Sequence, residues 1–233
     1  MSASCGEGPE PERVRAEFER IAPAYDLINT LISGGLHHRW RRWLLRQAAP
    51  PPGARVLDLC GGTGALTRLW LRRYPDTRQV VLADFSPAML RLAQRRLSGT
   101  RVRVVAADAL RLPFPEATFD VVLCGYGLRN LAGWRPGLAE MARVLRPGGE
   151  VLLLDMFREP WPWPVRFYVR ALLPWIGGLL SGSRSAYAWL PESLDCFASA
   201  AQVVAEMGRA GFQGIRRWDM LWRASTALVG RRG

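Results

Sequence analysis

The chain has 233 residues, 49% of them hydrophobic, and carries 32 basic and 20 acidic side chains for a formal charge of +12. This length and hydrophobic content predict a globular protein with a sizeable core. All the basic side chains are arginine, which excludes a mechanism that needs a lysine Schiff base or a P-loop lysine.

The positive charge favours anionic partners, namely nucleic acid, a membrane surface or an acidic substrate. General use of arginine on a solvated surface explains the charge equally well. The four cysteines are far apart, so we expect neither a metal site nor a disulfide framework. The acidic N-terminus differs from a secretory signal, and no apolar run is long enough for a transmembrane helix. We therefore expect a cytoplasmic protein.

The first 53 residues predict a cap of short amphipathic helices, because apolar residues recur there at helical spacing. The "PPPG" stretch ends this cap. Residues 54–156 then alternate between strand and helix patterns, which predicts an α/β, doubly wound, Rossmann-like core. The predicted strands are 55–59, 79–84, 102–108, 119–125 and 150–155, and the predicted helices are 63–74, 87–97 and 138–145. Near-continuous apolar runs predict strands that are covered on both faces.

The strand and helix alternation stops after Asp155. Residues 157–195 are rich in Trp, Pro, Gly and Arg, and we interpret them as a lid insertion after strand 5. Residues 196–233 predict a helix over 199–210 and strands over 215–221 and 225–229. These last two strands complete a seven-stranded sheet.

A glycine-rich turn, "DLCGGTG", follows the first strand and predicts a ligand site. Such turns lie at the carboxyl ends of the strands, where glycine lets the backbone approach a ligand closely. Asp84 ends the next strand, where its carboxylate can accept bonds from ribose hydroxyls. The sequence thus predicts a nucleoside cofactor. NAD is the second candidate, because Thr67 stands where its G-x-G-x-x-G motif needs a third small residue.

The spacing of Asp58, Cys60, Gly62 and Gly64 resembles the first motif of the class I methyltransferases, which use S-adenosyl-L-methionine. In this interpretation Asp58 orders the loop and faces the methionine amino group, although a plain turn cap is the alternative. Asp84 holds the ribose, Phe85 packs on the adenine and Asp108 contacts the adenine edge. The predicted cofactor-binding residues are Tyr25, Asp58, Gly62, Thr63, Gly64, Asp84, Phe85, Asp108, Ala109 and Gly125.

Four longer stretches resemble the ubiquinone/menaquinone biosynthesis C-methyltransferase family: "FERIAPAYDLINTLISGGLHHRW", "VLDLCGGTGALT", "LPFPEATFDVVLCGYGLRN" and "MARVLRPGGEVLLLD". The segment 186–197, "AYAWLPESLDCF", is similar to a further stretch of that family. The resemblance implies methyl transfer to a ring carbon of a quinol or naphthoquinol that carries a polyprenyl tail.

Carbon methylation needs a deprotonated ring hydroxyl, and Arg129 is the predicted cation that stabilises the phenolate. Asn130 is the predicted assistant, and Tyr126 faces either the acceptor or the core. A structural ion pair is the alternative role for Arg129. Tyr25 covers the methionine end of the cofactor or simply packs in the core. His37 and His38 lie among arginines, and we expect them on a solvated helix surface rather than in proton transfer.

The insertion offers aromatic residues that predict either an apolar acceptor tunnel with peripheral membrane contact or an ordinary hydrophobic lid. These residues are Trp161, Trp163, Phe167, Tyr168 and Trp175, accompanied by Arg158, Arg166 and Arg170. A nucleic-acid methyltransferase is disfavoured, because "LCGYGLRN" contains no Pro-Cys nucleophile or Pro-Pro-aromatic clamp. Two alternatives stay open: methylation of an aromatic natural product, and cofactor binding without methyl transfer. The oligomeric state is not predicted.

Overall fold

A computed structural model describes residues 9–172 and 193–233. Three helices precede the first strand: α1 (Pro11–Ile21), α2 (Tyr25–Ile32) and α3 (Leu36–Leu45), with a 3-10 turn at Ala22–Ala24 between the first two. Gly35 immediately precedes α3 and has a left-handed backbone conformation, which glycine adopts without strain. Short helices are thus present where the helical spacing of apolar residues predicts them.

The strands and helices of the core alternate as predicted. They are β1 (Arg55–Leu59), α4 (Ala65–Arg73), β2 (Gln79–Asp84), α5 (Pro87–Arg96), β3 (Val102–Ala106), β4 (Phe119–Gly125), a 3-10 turn (Leu128–Asn130), α6 (Trp134–Val144) and β5 (Leu145–Asp155). The C-terminal part adds α8 (Ala200–Arg209), β6 (Phe212–Met220) and β7 (Ser225–Arg232). Between these parts lie α7 (Trp163–Phe167) and a π-helical turn (Tyr168–Leu172).

All seven strands form one sheet in the order β3-β2-β1-β4-β5-β7-β6. Strands β1 to β5 are parallel, whereas β7 runs antiparallel to both β5 and β6. The chain changes direction across the sheet between β1 and β4. In doubly wound folds a ligand binds at the carboxyl ends of the strands beside this switch point.

Helices cover both faces of the sheet and create a two-sided core. On one face α3 and α4 bring Leu44 and Trp70 against Val121 and Leu152. On the other face α6 and α8 pack against the remaining inward side chains of β1, β4 and β5. Because both faces of the central strands are buried, the near-continuous apolar runs of β1, β2 and β4 are explained.

Several details of the predicted core are wrong. Strand β5 begins at Leu145 and not at Glu150, so the "RPGG" stretch lies in the strand. Two further differences have a clear physical reason. The apolar run of β3 predicts a strand covered on both faces, but β3 lies at the sheet edge and Arg103 and Ala106 are exposed. Helix α6 begins at Trp134 and not at Leu138, because Pro136 falls in its first turn, where no backbone donor is lost.

The described part of the predicted insertion packs against the N-terminal helices and the β6–β7 turn. The Tyr168 hydroxyl donates to the Ile32 carbonyl, and Trp161 Nε1 donates to the Arg223 carbonyl at 2.9 Å. Residues 173–192, which include Trp175 and most of the 186–197 stretch, lie outside the described residues. Within the described residues, no helix is both long and apolar enough to cross a bilayer.

Candidate active site

The turn between β1 and α4 requires glycine for two different reasons. Gly62 and Gly64 have φ values of +55° and +79°, in the left-handed region that favours glycine. Gly61 instead has no space for a side chain, since an added Cβ would lie 2.6 Å from Leu82 Cγ. The Gly64 amide donates to the Gly61 carbonyl at 2.9 Å and closes the turn. An added Cβ at Gly62 would meet no atom within 4 Å, so its open side faces a ligand space.

Asp84 holds this turn from the end of β2. Its Oδ2 accepts from the Gly62 amide at 2.8 Å, and its Oδ1 accepts from the Ser86 amide at 2.9 Å. Burial raises the pKa of this carboxyl group above its usual value. Because each carboxylate oxygen accepts more than one bond, Asp84 can hold the turn and also accept from a ribose hydroxyl.

Asp58 lies at the end of β1 below the turn and is only 1% exposed. Its Oδ2 accepts from the Thr67 amide at 3.0 Å and from the Thr67 hydroxyl at 2.6 Å, which ties the strand to the first turns of α4. Burial raises the pKa of Asp58 to about 6, although the two bonds from Thr67 oppose this shift. A cation placed beside Asp58 would favour its charged form.

A cavity of about 190 Å³ opens above the turn and brings most of the predicted cofactor residues together. We call it the cofactor cavity after these predictions. The predicted site residues that line it are Tyr25, Gly62, Asp84, Phe85, Asp108, Ala109, Gly125, Tyr126 and Asn130. Asp58 and Thr63 line a small cleft that adjoins it, together with Arg41 and the first residues of α4. Gly64 lines neither space, and its role in the structure is to shape the turn.

Asp26 of α2 closes the N-terminal helices over the glycine turn. Its Oδ1 accepts from the Thr63 hydroxyl at 3.0 Å, and its Oδ2 pairs with Arg96 of α5. The neighbouring Tyr25 lines the cofactor cavity and the small cleft, and burial raises the pKa of its hydroxyl. Sequence reasoning considered Tyr25 and missed the clamping role of Asp26.

A second and larger cavity of about 480 Å³ adjoins the first. Its walls come from α2, α3, α7 and the β6–β7 turn, and they are mainly apolar. The residues that line it include Ile32, Leu36, Trp40, Val165, Tyr168 and Val169. Tyr25 and Tyr126 line both cavities, so the two spaces meet at these tyrosines.

Tyr126 is held in an unusual backbone conformation between the two cavities. Its φ is +64°, which a side chain of this size rarely adopts, and its hydroxyl lies 3.2 Å from Ser225 Oγ. Burial raises the pKa of this hydroxyl to about 12. The Tyr126 hydroxyl is therefore neutral near pH 7, and its side chain lines both cavities.

Arg129 lies at the larger cavity, in the 3-10 turn after β4, and is paired. Its NH1 contacts Asp155 Oδ1 at 2.5 Å, and its backbone amide donates to Asp155 Oδ2 at 3.2 Å. The ion pair that the sequence offered as the alternative role of Arg129 is thus present. Asn130 does not accompany Arg129 into the larger cavity, because Asn130 lines the cofactor cavity and donates to the Tyr126 carbonyl at 3.1 Å.

The expectation that His37 lies on a solvated surface is wrong. His37 is 5% exposed and Arg41 is 6% exposed, and both line the larger cavity. The reason is helical spacing: His37 and Arg41 share the face of α3 on which Leu44 and Leu45 are buried. His38 is half-buried, and its Nε2 lies 3.3 Å from Thr30 Oγ1.

Arg41 is a buried cation without an ion pair among the described residues, and sequence reasoning missed its role. Its guanidinium carbon lies 5.5 Å from the centre of the Tyr126 ring. It lines both the small cleft beside Asp58 and the larger cavity. The composition of this basic stretch does not indicate that Arg41 is buried. Its helical spacing from the apolar residues Leu44 and Leu45, however, predicts that Arg41 lies on the buried face of α3.

The sheet order and the glycine turn define a class of protein. A SAM-dependent methyltransferase from Thermotoga maritima has the same fold, with a TM-score of 0.66 over 94% of this chain and 100% of that chain at 16% identity. The architecture is therefore that of the class I SAM-dependent methyltransferases.

Sequence comparison narrows this class to one family. The model of the ubiE/COQ5 methyltransferase family matches residues 8–221. The demethylmenaquinone methyltransferase of Thermus thermophilus is 42% identical over 84% of this chain and 90% of that protein. The ubiquinone/menaquinone biosynthesis C-methyltransferase UbiE of Cupriavidus necator is 34% identical over 97% of this chain and 95% of that protein. The chain belongs to the ubiE/COQ5 methyltransferase family, and it is an enzyme of the methyltransferase class.

Proposed function

We propose that this enzyme transfers a methyl group from S-adenosyl-L-methionine to a ring carbon of a 1,4-quinol or naphthoquinol with a polyprenyl tail. One observation carries the proposal: the cofactor cavity and the larger apolar cavity meet at Tyr25 and Tyr126. A cofactor in the first space and an aromatic ring in the second would face each other there. Holding the two reactants in line accounts for much of the acceleration of a displacement reaction.

The residues of the cofactor cavity fit each part of an adenosyl amino acid. Asp84 suits the ribose hydroxyls, while Phe85 and Asp108 lie where they can contact the adenine. The small cleft is lined by the carboxylate of Asp58 and, separately, by the cation Arg41, which suits a ligand that carries both an ammonium and a carboxylate. The unpartnered Nε and NH1 of Arg41 are donors that a methionine carboxylate would satisfy. NAD offers no such zwitterion.

The larger cavity, called the acceptor cavity from here on, suits a ring whose hydroxyl must lose a proton. The bound cofactor supplies an electrophilic methyl group, and the protein must stabilise the electron-rich ring that attacks it. Arg129 faces this cavity with a fixed planar cation, which favours the phenolate form of the acceptor. Its pairing with Asp155 fixes the guanidinium in place. The apolar walls suit the ring and the start of a prenyl tail.

The mouth of the acceptor cavity supports peripheral contact with an anionic bilayer. Leu31, Leu221 and Trp222 line the cavity and are exposed, with Trp222 68% exposed. Helix α7, which contributes Val165 to the cavity, also has the exposed side chains Trp163 and Phe167. The arginines at positions 166 and 170 are close to them in sequence and are exposed as well. Apolar side chains ringed by basic ones are typical of proteins that rest on anionic membranes. Such contact would give a polyprenyl tail a direct path into the site.

The test is anaerobic incubation with methyl-labelled cofactor and a short-chain demethylated naphthoquinol. We expect the label on a ring carbon, identified by mass spectrometry and NMR of the product. The variant Asp84→Ala should abolish transfer through loss of cofactor binding. Transfer only to hydroxyl oxygens or to unprenylated phenols would favour a natural-product methyltransferase. Cofactor binding without transfer to any acceptor would contradict the proposal.

A further inference from the structure

The unpartnered buried nitrogens of the described side chains are concentrated at the acceptor cavity. They are His37 Nε2, Arg41 Nε, Arg41 NH1 and Arg129 Nε, and all three residues line that cavity. A buried polar atom without a partner is costly, and native proteins keep few of them. Arg41 also lines the small cleft, where its nitrogens suit the methionine carboxylate, so His37 Nε2 and Arg129 Nε are left for a ligand in the larger cavity to satisfy.

His37 differs from the two arginines because its free nitrogen is an acceptor. Ser33 Oγ donates its single proton to the Asn29 carbonyl at 2.7 Å. The contact of 2.6 Å between Ser33 Oγ and His37 Nδ1 is a hydrogen bond alongside this one only if Nδ1–H donates to Ser33, and we take this arrangement because it satisfies both contacts. Burial and the neighbouring Arg41 lower the pKa of His37 to about 4, so the ring is neutral. A neutral ring protonated at Nδ1 has a lone pair at Nε2.

His37, Arg41 and Arg129, called the polar wall here, thus leave one acceptor atom at His37 and one donor atom at Arg129 for the ring. A ligand that satisfies both needs a hydrogen-bond donor for His37 and an oxygen acceptor for Arg129. The positive charges of Arg41 and Arg129 disfavour a cationic donor such as an ammonium group. A neutral hydroxyl on an aromatic ring meets both requirements, since the hydroxyl can donate to His37 and the apolar walls suit the ring.

We propose that His37 Nε2 accepts a hydrogen bond from a ring hydroxyl of the acceptor and so selects a hydroxylated ring in its reduced form. This inference rests on the proposed function, since it concerns the acceptor of the same reaction. The corresponding quinone has a carbonyl oxygen in place of the hydroxyl, and its lone pair would face the lone pair of Nε2. A site built to bond a hydroxyl strongly rejects the analogue that lacks it.

The test compares two ring probes by anaerobic calorimetry in saturating S-adenosylhomocysteine. The first is 1,4-dihydroxynaphthalene, and the second is 1,4-dimethoxynaphthalene, which has no donor. We expect the wild-type protein to bind the first about tenfold more tightly, the value of one neutral hydrogen bond. In His37→Phe the preference should fall to about twofold or less. In His37→Gln, whose amide oxygen can accept, part of the preference should return.

The matched control is His38→Phe, because His38 is the adjacent histidine on α3 and does not line the cavity. This variant should keep the full preference. An unchanged preference in His37→Phe would overturn the inference, because the preference would then come from the different sizes of the two probes. The proposed function would still stand. If the wild-type protein binds the two probes with equal affinity, the inference is likewise overturned and the proposed function still stands. A wild-type protein that binds no S-adenosylhomocysteine would instead contradict the proposed function.

A variant that fails to fold is recognised by its loss of affinity for S-adenosylhomocysteine. In that case His37→Gln carries the decision, because it retains a polar group of similar reach. Its preference for the dihydroxy probe should then exceed that of a His37→Leu variant, which is also uncharged but has no hydrogen-bond acceptor. The opposite order would overturn the inference.

Discussion

Asp155 holds Arg129 by two of its atoms, the NH1 nitrogen at 2.5 Å and the backbone amide at 3.2 Å. Both side chains are largely buried. Asp155 ends β5, so the pair fixes the turn after β4 to the neighbouring strand at the carboxyl edge of the sheet. The sheet itself therefore positions the charge of Arg129 at the larger cavity.

Breaking this pair from one side should be costly. Arg129→Met leaves the Asp155 carboxylate buried without its partner, and we expect the free energy of unfolding to fall by about 3–5 kcal/mol. The double variant Arg129→Met, Asp155→Asn should recover most of this loss. Denaturant unfolding measures both values. If Arg129 also stabilises the acceptor phenolate, the double variant should fold well and still turn over slowly. Normal turnover in it would remove Arg129 from the mechanism.

Arg41 should respond in the opposite way, because it has no ion pair among the described residues. Arg41→Met removes a buried charge, and we expect the ligand-free protein to be equally or more stable, by roughly 1–3 kcal/mol. The affinity for S-adenosylhomocysteine should fall by about 10- to 100-fold. The affinity for 5′-methylthioadenosine, which lacks the carboxylate, should change little.

Calorimetry with the two ligands separates a contact to the carboxylate from a general loss of structure. Arg42→Met is the matched control, since Arg42 is the exposed neighbour on α3. If both ligands lose affinity equally in Arg41→Met, the carboxylate is not the partner of Arg41.

Asp58 should make stability depend on pH. Its pKa is about 6 in the folded state against an ordinary value of 3.8, so the folded protein binds more protons than the unfolded chain between these values. Stability from this group is present at low pH and is lost as the pH rises through about 6, by up to about 3 kcal/mol. His37 has the opposite effect, because its lowered pKa makes stability rise between about 4 and 6.5.

The comparison of wild type with Asp58→Asn isolates the first effect, since His37 is present in both. The asparagine oxygen can still accept from Thr67. Thermal unfolding between pH 4 and 7.5 should show that the wild type loses stability relative to Asp58→Asn as the pH rises to about 6, and that the difference then levels off. Parallel curves would show that Asp58 is charged throughout this range.

The sequence predicts the sheet well because its central strands are buried. Strands β1, β2 and β4 match the predicted bounds, as continuous apolar runs ended by charged or glycine residues leave little ambiguity. The glycine turn and Asp84 are predicted for the same reason, since their position at the strand ends follows from connectivity. The edge position of β3 could not be predicted, because it depends on which strands pair and not on local pattern.

The polar wall of the acceptor cavity was harder to predict. The run "HHRWRR" is so basic that it suggests a solvated helix, whereas α3 turns His37 and Arg41 inward. The role of Asp155 was missed because its partner lies 26 residues earlier, in a separate turn. A rule that treats every carboxylate at the end of a core strand as a candidate would have found it, as it found Asp84.

Asp26 should control closure of the N-terminal helices over the cofactor. Asp26→Ala removes the acceptor of the Thr63 hydroxyl and the partner of Arg96. We expect faster hydrogen exchange in α1 and α2 and a roughly 5- to 20-fold weaker affinity for S-adenosylhomocysteine. Glu19→Ala is a suitable control, because Glu19 forms only an exposed pair with Arg15 among the described residues. Equal exchange in the two variants would contradict a clamping role for Asp26.

The exposed apolar mouth of the acceptor cavity should bind anionic vesicles. Trp222→Ser should weaken partitioning to phosphatidylglycerol vesicles by roughly tenfold, since a tryptophan buried at an interface contributes more than 1 kcal/mol. Leu27→Ser is the matched control, because Leu27 is 62% exposed on α2 but does not line the cavity. Binding to phosphatidylcholine vesicles should be weaker, since these lack the charge that attracts the arginines. If Trp222→Ser and Leu27→Ser partition alike in sedimentation assays, the mouth does not face the bilayer, and a prenyl tail must reach the cavity by another route.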